Sequence, residues 1–246
     1  MKLLNKSLLI TAFLFCGMLF TSCEKEESSA NVSKVTNYPT FDMQGAATIF
    51  LEKGTPFNEP GVTATEGGEE IEVRTSVRGK YRGGNTLDEN VSDYYTITYS
   101  ATNKDGFEGS VTRDVYVVET GDLVNSIAGL YTSTVVRNGS SSAQYTDMEY
   151  VMVWQNSDGS YGISDGIGAY YSIGRAYGPA YRAPAKVEAN DISANDFTYF
   201  PFTVGTFGGV CTMSAMVADP GANTLDFTTV WDAGYTFEVT LNQVEI

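Results

Sequence analysis

Apolar side chains at every second position are the feature that most restricts how this chain folds. In "YYTITYSA" Tyr95, Ile97 and Tyr99 share one face, and in "VTRDVYVV" Val111, Arg113, Val115 and Val117 share one face, with Asp114 and Tyr116 on the other. A period of two places alternate side chains on opposite sides of an extended backbone, which is the signature of a strand with one buried face. "ATIFLEKG" and "IEVRTSV" read the same way, and Asn103-Lys104-Asp105-Gly106 supplies a turn between the last two strands. Helical periodicity is almost absent, so the chain is expected to be all-β.

The second half continues this pattern. Strands are predicted near 129–137, 145–155, 159–164, 167–174, 185–190, 197–204, 209–218, 223–230 and 235–245, separated by turn signals such as "RNGSSS", "NSDGS", "YGPAYRAP" and "ADPGAN". Short sequential strands with short turns predict an antiparallel β-barrel or sandwich, whose first and last strands are placed to pair. "ETGDLVNSIAG", residues 119–129, reads as a boundary. The expected division is a signal peptide over 1–22, a flexible tether over 23–38, a β-sandwich over 39–120 and a C-terminal β-domain over 125–246.

The amino-terminal stretch reads as an export signal: Lys2 and Lys6 precede an apolar run from Leu8 to Phe20, too short for a comfortable membrane span. The segment Phe20-Thr21-Ser22-Cys23 resembles the lipobox of bacterial lipoproteins. That resemblance implies acylation of Cys23 and a membrane partner held through its lipid. The following Glu24-Lys25-Glu26-Glu27 is similar to the acidic export tag of Bacteroidota-type surface lipoproteins, which implies the outer membrane and its exterior face. Such a charged tract is expected to stay solvated as a tether.

"PFNEPGVTATEGGEEIEV", followed by "YYTITYSATNKDGFEGSVTRDVYV", resembles bacterial immunoglobulin-like surface domains. Their Pro-Gly-Val-x-Ala pattern, Tyr-x-Ile-x-Tyr-x-Ala strand and Arg-bearing closing strand all recur here. Asn103 and the long insert over residues 77–93 depart from that pattern. The resemblance implies a sandwich used as a spacer. The second domain, opening with "IAGLYTSTV" and closing with "YTFEVTLNQVE", looks lipocalin-like, and it is similar to C-terminal domains of lipoproteins from glycan-utilisation loci.

Composition excludes several function classes. With 15 basic against 30 acidic residues the net charge is −15, and removal of Lys2 and Lys6 with residues 1–22 takes it to −17. Nucleic-acid binding requires neutralising phosphates with Lys and Arg, so it is not expected. There is no histidine, which removes the commonest general base, serine triads and the usual zinc sites. Asp158, Asp165, Asp191, Asp196, Asp219, Asp226 and Asp232 mostly sit in turn contexts, where Asp is chosen for local hydrogen bonds. No catalytic residue, metal site or cofactor is predicted. Cys211, alone in an apolar run, reads as a small buried hydrophobe.

The candidate binding residues concentrate in "DGIGAYYSIGRAYGPAYRAPA". Tyr170, Tyr171, Tyr177 and Tyr181 alternate there with Arg175 and Arg182. Tyrosines offer flat apolar faces with a polar tip, and Arg offers forked donors, a combination suited to a glycan. The same tyrosines would also serve to plug one end of a barrel. Trp231, beside Asp232-Ala233-Gly234, is expected to be exposed and to join the site, whereas alternation places Trp154 in a core. "RGKYRGGN", with Arg78, Lys80, Tyr81 and Arg82, reads as a solvated hairpin tip or a contact for an acidic glycan or a partner protein. The expectation is a non-catalytic surface lipoprotein binding a glycan or another extracellular ligand. The alternative is a structural or protein-interaction subunit of an outer-membrane complex, such as a transporter complex, with no small ligand.

Overall fold

The computed structural model describes residues 35–246; the expected signal, Cys23 and most of the tether lie outside the described residues. The first domain holds seven strands: β1 Thr40–Met43, β2 Thr48–Glu52, β3 Val62–Glu66, β4 Glu69–Ile71, β5 Arg74–Gly79, β6 Asp93–Thr102 and β7 Glu108–Val118. They form two sheets, β1-β3-β4 and β2-β7-β6-β5, with β2 and β7 parallel and the remaining pairs antiparallel. This is the expected immunoglobulin-like sandwich. The alternation decides its core: Tyr95, Ile97, Tyr99, Val115 and Val117 are buried together.

Arg113 stands on that same inward face of β7 and is fully buried. Its guanidinium donates to the carbonyls of Ala46 and, at 2.7 Å, Gln44, and it pairs with Glu59 at 3.1 Å. A buried charge is tolerated only when paired and hydrogen-bonded. Arg113 meets that condition by tying the β1–β2 connection and the residues before β3 to the second sheet.

The second domain is one nine-stranded antiparallel sheet. Its strands are β8 Gly129–Arg137, β9 Met148–Gln155, β10 Tyr161–Ile163, β11 Ala185–Asp191, β12 Asp196–Tyr199, β13 Phe202–Val204, β14 Gly208–Asp219, β15 Thr224–Trp231 and β16 Tyr235–Gln243. The spatial order is β12-β11-β10-β9-β8-β16-β15-β14-β13. The first and last strands pair over Tyr131–Arg137 and Phe237–Gln243, as the sequence predicts.

The sheet curls into a half-barrel, and its open seam lies between β12 and β13, which are neighbours in sequence. Side chains bridge it. A register break in β14 between Ser214 and Val217 frees backbone N–H groups, and Met216 N donates to the Tyr199 hydroxyl at 2.9 Å. Ala218 N donates to Asn195 Oδ1 at 2.8 Å.

Two strand assignments require correction. Residues 197–204 divide at Phe200-Pro201 into β12 and β13, since proline cannot donate to a ladder. Residues 167–174 are not a strand. Gly168 and Ala169 both take left-handed backbone, with φ of 64° and 61°, and residues Tyr170–Gly174 form a π-helical turn. The segment turns into the half-barrel and fills it: Ile167, Ala169, Tyr170 and Tyr171 join the core. A side chain at Gly168 would meet Val135, Ser133 and Val239 within 2.8 Å, so only glycine lets the plug lie this close to β8 and β16.

The two domains pack through a third apolar cluster, in which Val118, Leu130, Met152 and Trp154 are joined by Tyr81, Tyr116 and Tyr150. Tyr94 and Tyr116 stack at 4.5 Å, Tyr116 meets Phe50 at 5.4 Å, and Tyr81 lies parallel to Trp154 at 6.1 Å. Trp154 is buried, as its alternation predicts, but against the first domain rather than inside the half-barrel. Tyr81 is not a solvated hairpin tip: it is carried by the insert into this seam.

Two outcomes follow from this packing. Arg113→Ala removes the charged donor to the Gln44 and Ala46 carbonyls and the partner of Glu59, and is expected to cost about 1.5–3 kcal/mol in denaturant unfolding. Gly162→Ala places a methyl 2.4 Å from the Trp154 ring, and is expected to lower stability by about 1–3 kcal/mol through overpacking, read as a fall in melting temperature.

Candidate functional site

The predicted binding residues divide between core and surface. Tyr170 and Tyr171 are buried in the plug. Tyr177 is 47% exposed and Tyr181 is half-buried beside it, with ring centroids 5.2 Å apart. Arg175 is exposed and reaches over the Tyr170 ring at 5.9 Å. Trp231 is 7% exposed, against the expectation of an exposed ring. Although it ends β15 next to a turn, Tyr171, Phe207 and Tyr235 pack around it at 6.1, 6.1 and 5.7 Å.

What the sequence reading missed is Phe207. It ends the short 3-10 turn Gly205–Phe207 and stands 46% exposed, 4.8 Å from Tyr181 and 6.2 Å from Tyr177. The available signal was an aromatic residue set among glycines in "GTFGGV", where nothing local buries it. Tyr177, Tyr181 and Phe207 thus form an aromatic face at one end of the half-barrel, resting on the buried Tyr171 and Trp231.

The reverse side of the same loop faces the first domain. A cleft of about 270 Å³ is lined by Lys80, Tyr81, Trp154, Ser164, Ala180 and Arg182, among others. It brings together two segments a hundred residues apart. The Arg182 guanidinium lies 4.7 Å above the Tyr81 ring and donates to the Lys80 carbonyl at 3.3 Å. Buried Asp93 fixes the insert from below, accepting from the backbone N–H groups of Tyr81, Arg82 and Tyr94 at 2.9, 3.1 and 2.7 Å. Burial pushes the Tyr81 hydroxyl up to about 12, so it is a neutral donor at any physiological pH.

Asp165 anchors the plug. It is fully enclosed and accepts from Ser172 Oγ at 2.7 Å and from Ile167 N at 3.2 Å. Burial pushes its carboxyl up to about 6, opposed by these bonds. Other acids do serve turns, as the sequence predicts: Asp158 accepts from Ser160 N at 3.0 Å and Asp219 from Gly221 N at 2.8 Å. Cys211 is buried and unbridged, and burial with Asp232 and Asp165 nearby pushes its thiol up to about 12, leaving it unreactive. Among the described residues, no group of three or more His, Cys, Asp or Glu is placed to hold a metal ion.

Comparison with known proteins agrees with this architecture. Residues 41–117 match the family described as bacterial surface protein, Ig-like domain, and residues 120–243 match a family model for a C-terminal domain. The crystal structure of the lipoprotein BT2262 from Bacteroides thetaiotaomicron is similar at 32% identity and a TM-score of 0.63. The match covers 84% of this chain and 100% of that one. No curated protein matches the sequence at significance.

The buried carboxyl of Asp165 has a pH signature. Its folded pKa of about 6 lies above the ordinary value of 3.8, so the stability it contributes is full below pH 3.8 and is lost as pH rises through 6. The loss amounts to about 3 kcal/mol. Melting curves between pH 4 and 7 are expected to show Asp165→Asn gaining on the native protein across that window.

Proposed function

This chain belongs to the family of two-domain, lipid-anchored Bacteroidota surface lipoproteins that pair an Ig-like domain with this C-terminal β-domain, and from that premise we propose that it binds a glycan or another extracellular ligand through the C-terminal domain. The chain is a non-catalytic outer-membrane lipoprotein; what the proposal adds is the ligand and the face that takes it. The observation that carries the reading is the aromatic face of Tyr177, Tyr181 and Phe207. Two of its rings are nearly half exposed on a soluble surface, with Arg175 nearby as a donor. Exposed aromatic rings grouped on a rigid base are costly to leave in water and are characteristic of binding surfaces. Trp231, Tyr170 and Tyr171 take the role of that base, and Arg182 belongs to the neighbouring cleft. In this reading the Ig-like domain, residues 39–120, is a spacer for the domain over 125–246, and the lipid on Cys23 is the membrane attachment.

A second reading is a structural subunit that docks on an outer-membrane transporter complex and takes no small ligand. The observation favouring it is a set of outward valines on β14 and β15: Val210, Val217 and Val230 are 49%, 42% and 49% exposed. Exposed apolar side chains of this kind suit a protein partner.

A glycan array probed with the full chain separates the two readings. Binding that weakens several-fold to about tenfold in Tyr177→Ala or Phe207→Ala is the expected result. A hit untouched by both substitutions removes this face from the proposal. A blank array, with a stoichiometric partner recovered from membranes, moves the function to the second reading.

A further inference from the structure

We infer that the cleft between the insert of the first domain and the 178–184 loop of the second is a separate binding site, for a compact carboxylate-bearing molecule. It goes beyond the aromatic-face reading and does not depend on it.

The first support is the distribution of charge. Of the basic residues described, Lys53, Arg74, Lys104, Arg113 and Lys186 each pair with a carboxylate. Among the described residues, Arg78, Lys80, Arg82, Arg137, Arg175 and Arg182 form no such pair. Arg137 and Arg175 lie over the Tyr170 ring, away from the cleft. The other four come from the two segments that meet at the cleft, and Lys80 and Arg182 line it. In a protein with twice as many acids as bases, four cations here meet two carboxylates, Asp93 beside Arg82 and Asp165 near Tyr81, and the excess of positive charge attracts anions. Asp93, which senses Arg82, is already engaged by three backbone N–H groups.

The second support is the kind of donor on offer. Arg182 is held in place by the Tyr81 ring and the Lys80 carbonyl, which orients its planar fork at little further entropic cost. A guanidinium so fixed matches the two oxygens of a carboxylate, and Lys80 adds a point charge. The neutral Tyr81 hydroxyl supplies a short-range donor for the rest of the molecule, beside the buried Ser164, which accepts from Met152 N at 2.9 Å. At about 270 Å³, the space is slightly below that of pockets for drug-sized ligands, which admits a molecule the size of one sugar ring or a short diacid.

Isothermal titration of the full chain with glucuronate, succinate, glucose and inorganic sulfate tests this. Glucuronate and succinate are expected to bind, with glucose and sulfate at least about tenfold weaker. Lys80→Gln and Arg182→Gln are each expected to weaken the carboxylates about tenfold, and Tyr177→Ala is expected to leave them unchanged. Tighter glucuronate identifies an acidic sugar as the source of the carboxylate, tighter succinate a non-sugar acid, and both uphold the site. The inference is overturned if no carboxylate binds at millimolar concentration, if glucose or sulfate binds equally well, or if Lys80→Gln has no effect. Lys80 is exposed, so Lys80→Gln folds normally and decides the matter should Arg182→Gln prove unstable.

Discussion

The aromatic seam between the domains is the contact on which the rest of this structure depends. Tyr116 and Tyr94 stack on the outer face of the Ig-like sheet, Tyr81 continues the row, and Trp154 receives it from the second domain. Each ring removes a large apolar area from water, and ring pairs add to that through their preferred geometries. A polar junction would leave the domains free to swing; one with buried aromatic and aliphatic side chains holds them as a single body. The seam has a backbone requirement as well, since the Trp154 ring lies directly over Gly162.

From that contact the functional surfaces follow. By drawing Tyr81 in, the seam brings Lys80 against Arg182 and creates the cleft. The loop carrying Arg182 turns its other side outward as Tyr177 and Tyr181. One short segment therefore faces two surfaces of different chemistry, aromatic on one and cationic on the other. Its position is set from within, because Gly166 N donates to the Ala183 carbonyl at 2.6 Å and Thr229 Oγ1 donates to the Gly166 carbonyl at 2.6 Å. The buried Asp165 belongs to the same arrangement, giving up solvation in order to satisfy the turn that plugs the half-barrel.

Much of the fold was legible because it rests on local chemistry. Alternation in β6 and β7 identified both strands and the faces they bury, and Gly106 with a φ of 88° made the turn between them. The pairing of β8 with β16 was readable from a meander whose ends must meet. Segment 167–174 was misread because its apolar residues serve a plug as well as they serve a strand, and only the left-handed pair at Gly168 and Ala169 separates the two. Trp231 was misread because proximity to a turn indicates exposure only when no distant ring covers it. Here Phe207 and Tyr171 do.

The sequence by itself determined an all-β chain, an immunoglobulin-like first domain, an acidic surface without histidine, and tyrosine-rich segments available for binding. All of these depend on residue type and on spacing along the chain, which short-range sterics and solvation convert directly into structure. Tertiary structure alone decided which tyrosines remain outside, where the half-barrel leaves its seam, and that Lys80 meets Arg182. Those outcomes depend on contacts between residues a hundred positions apart, whose energies come from burial and ring packing and leave no periodic trace in the sequence.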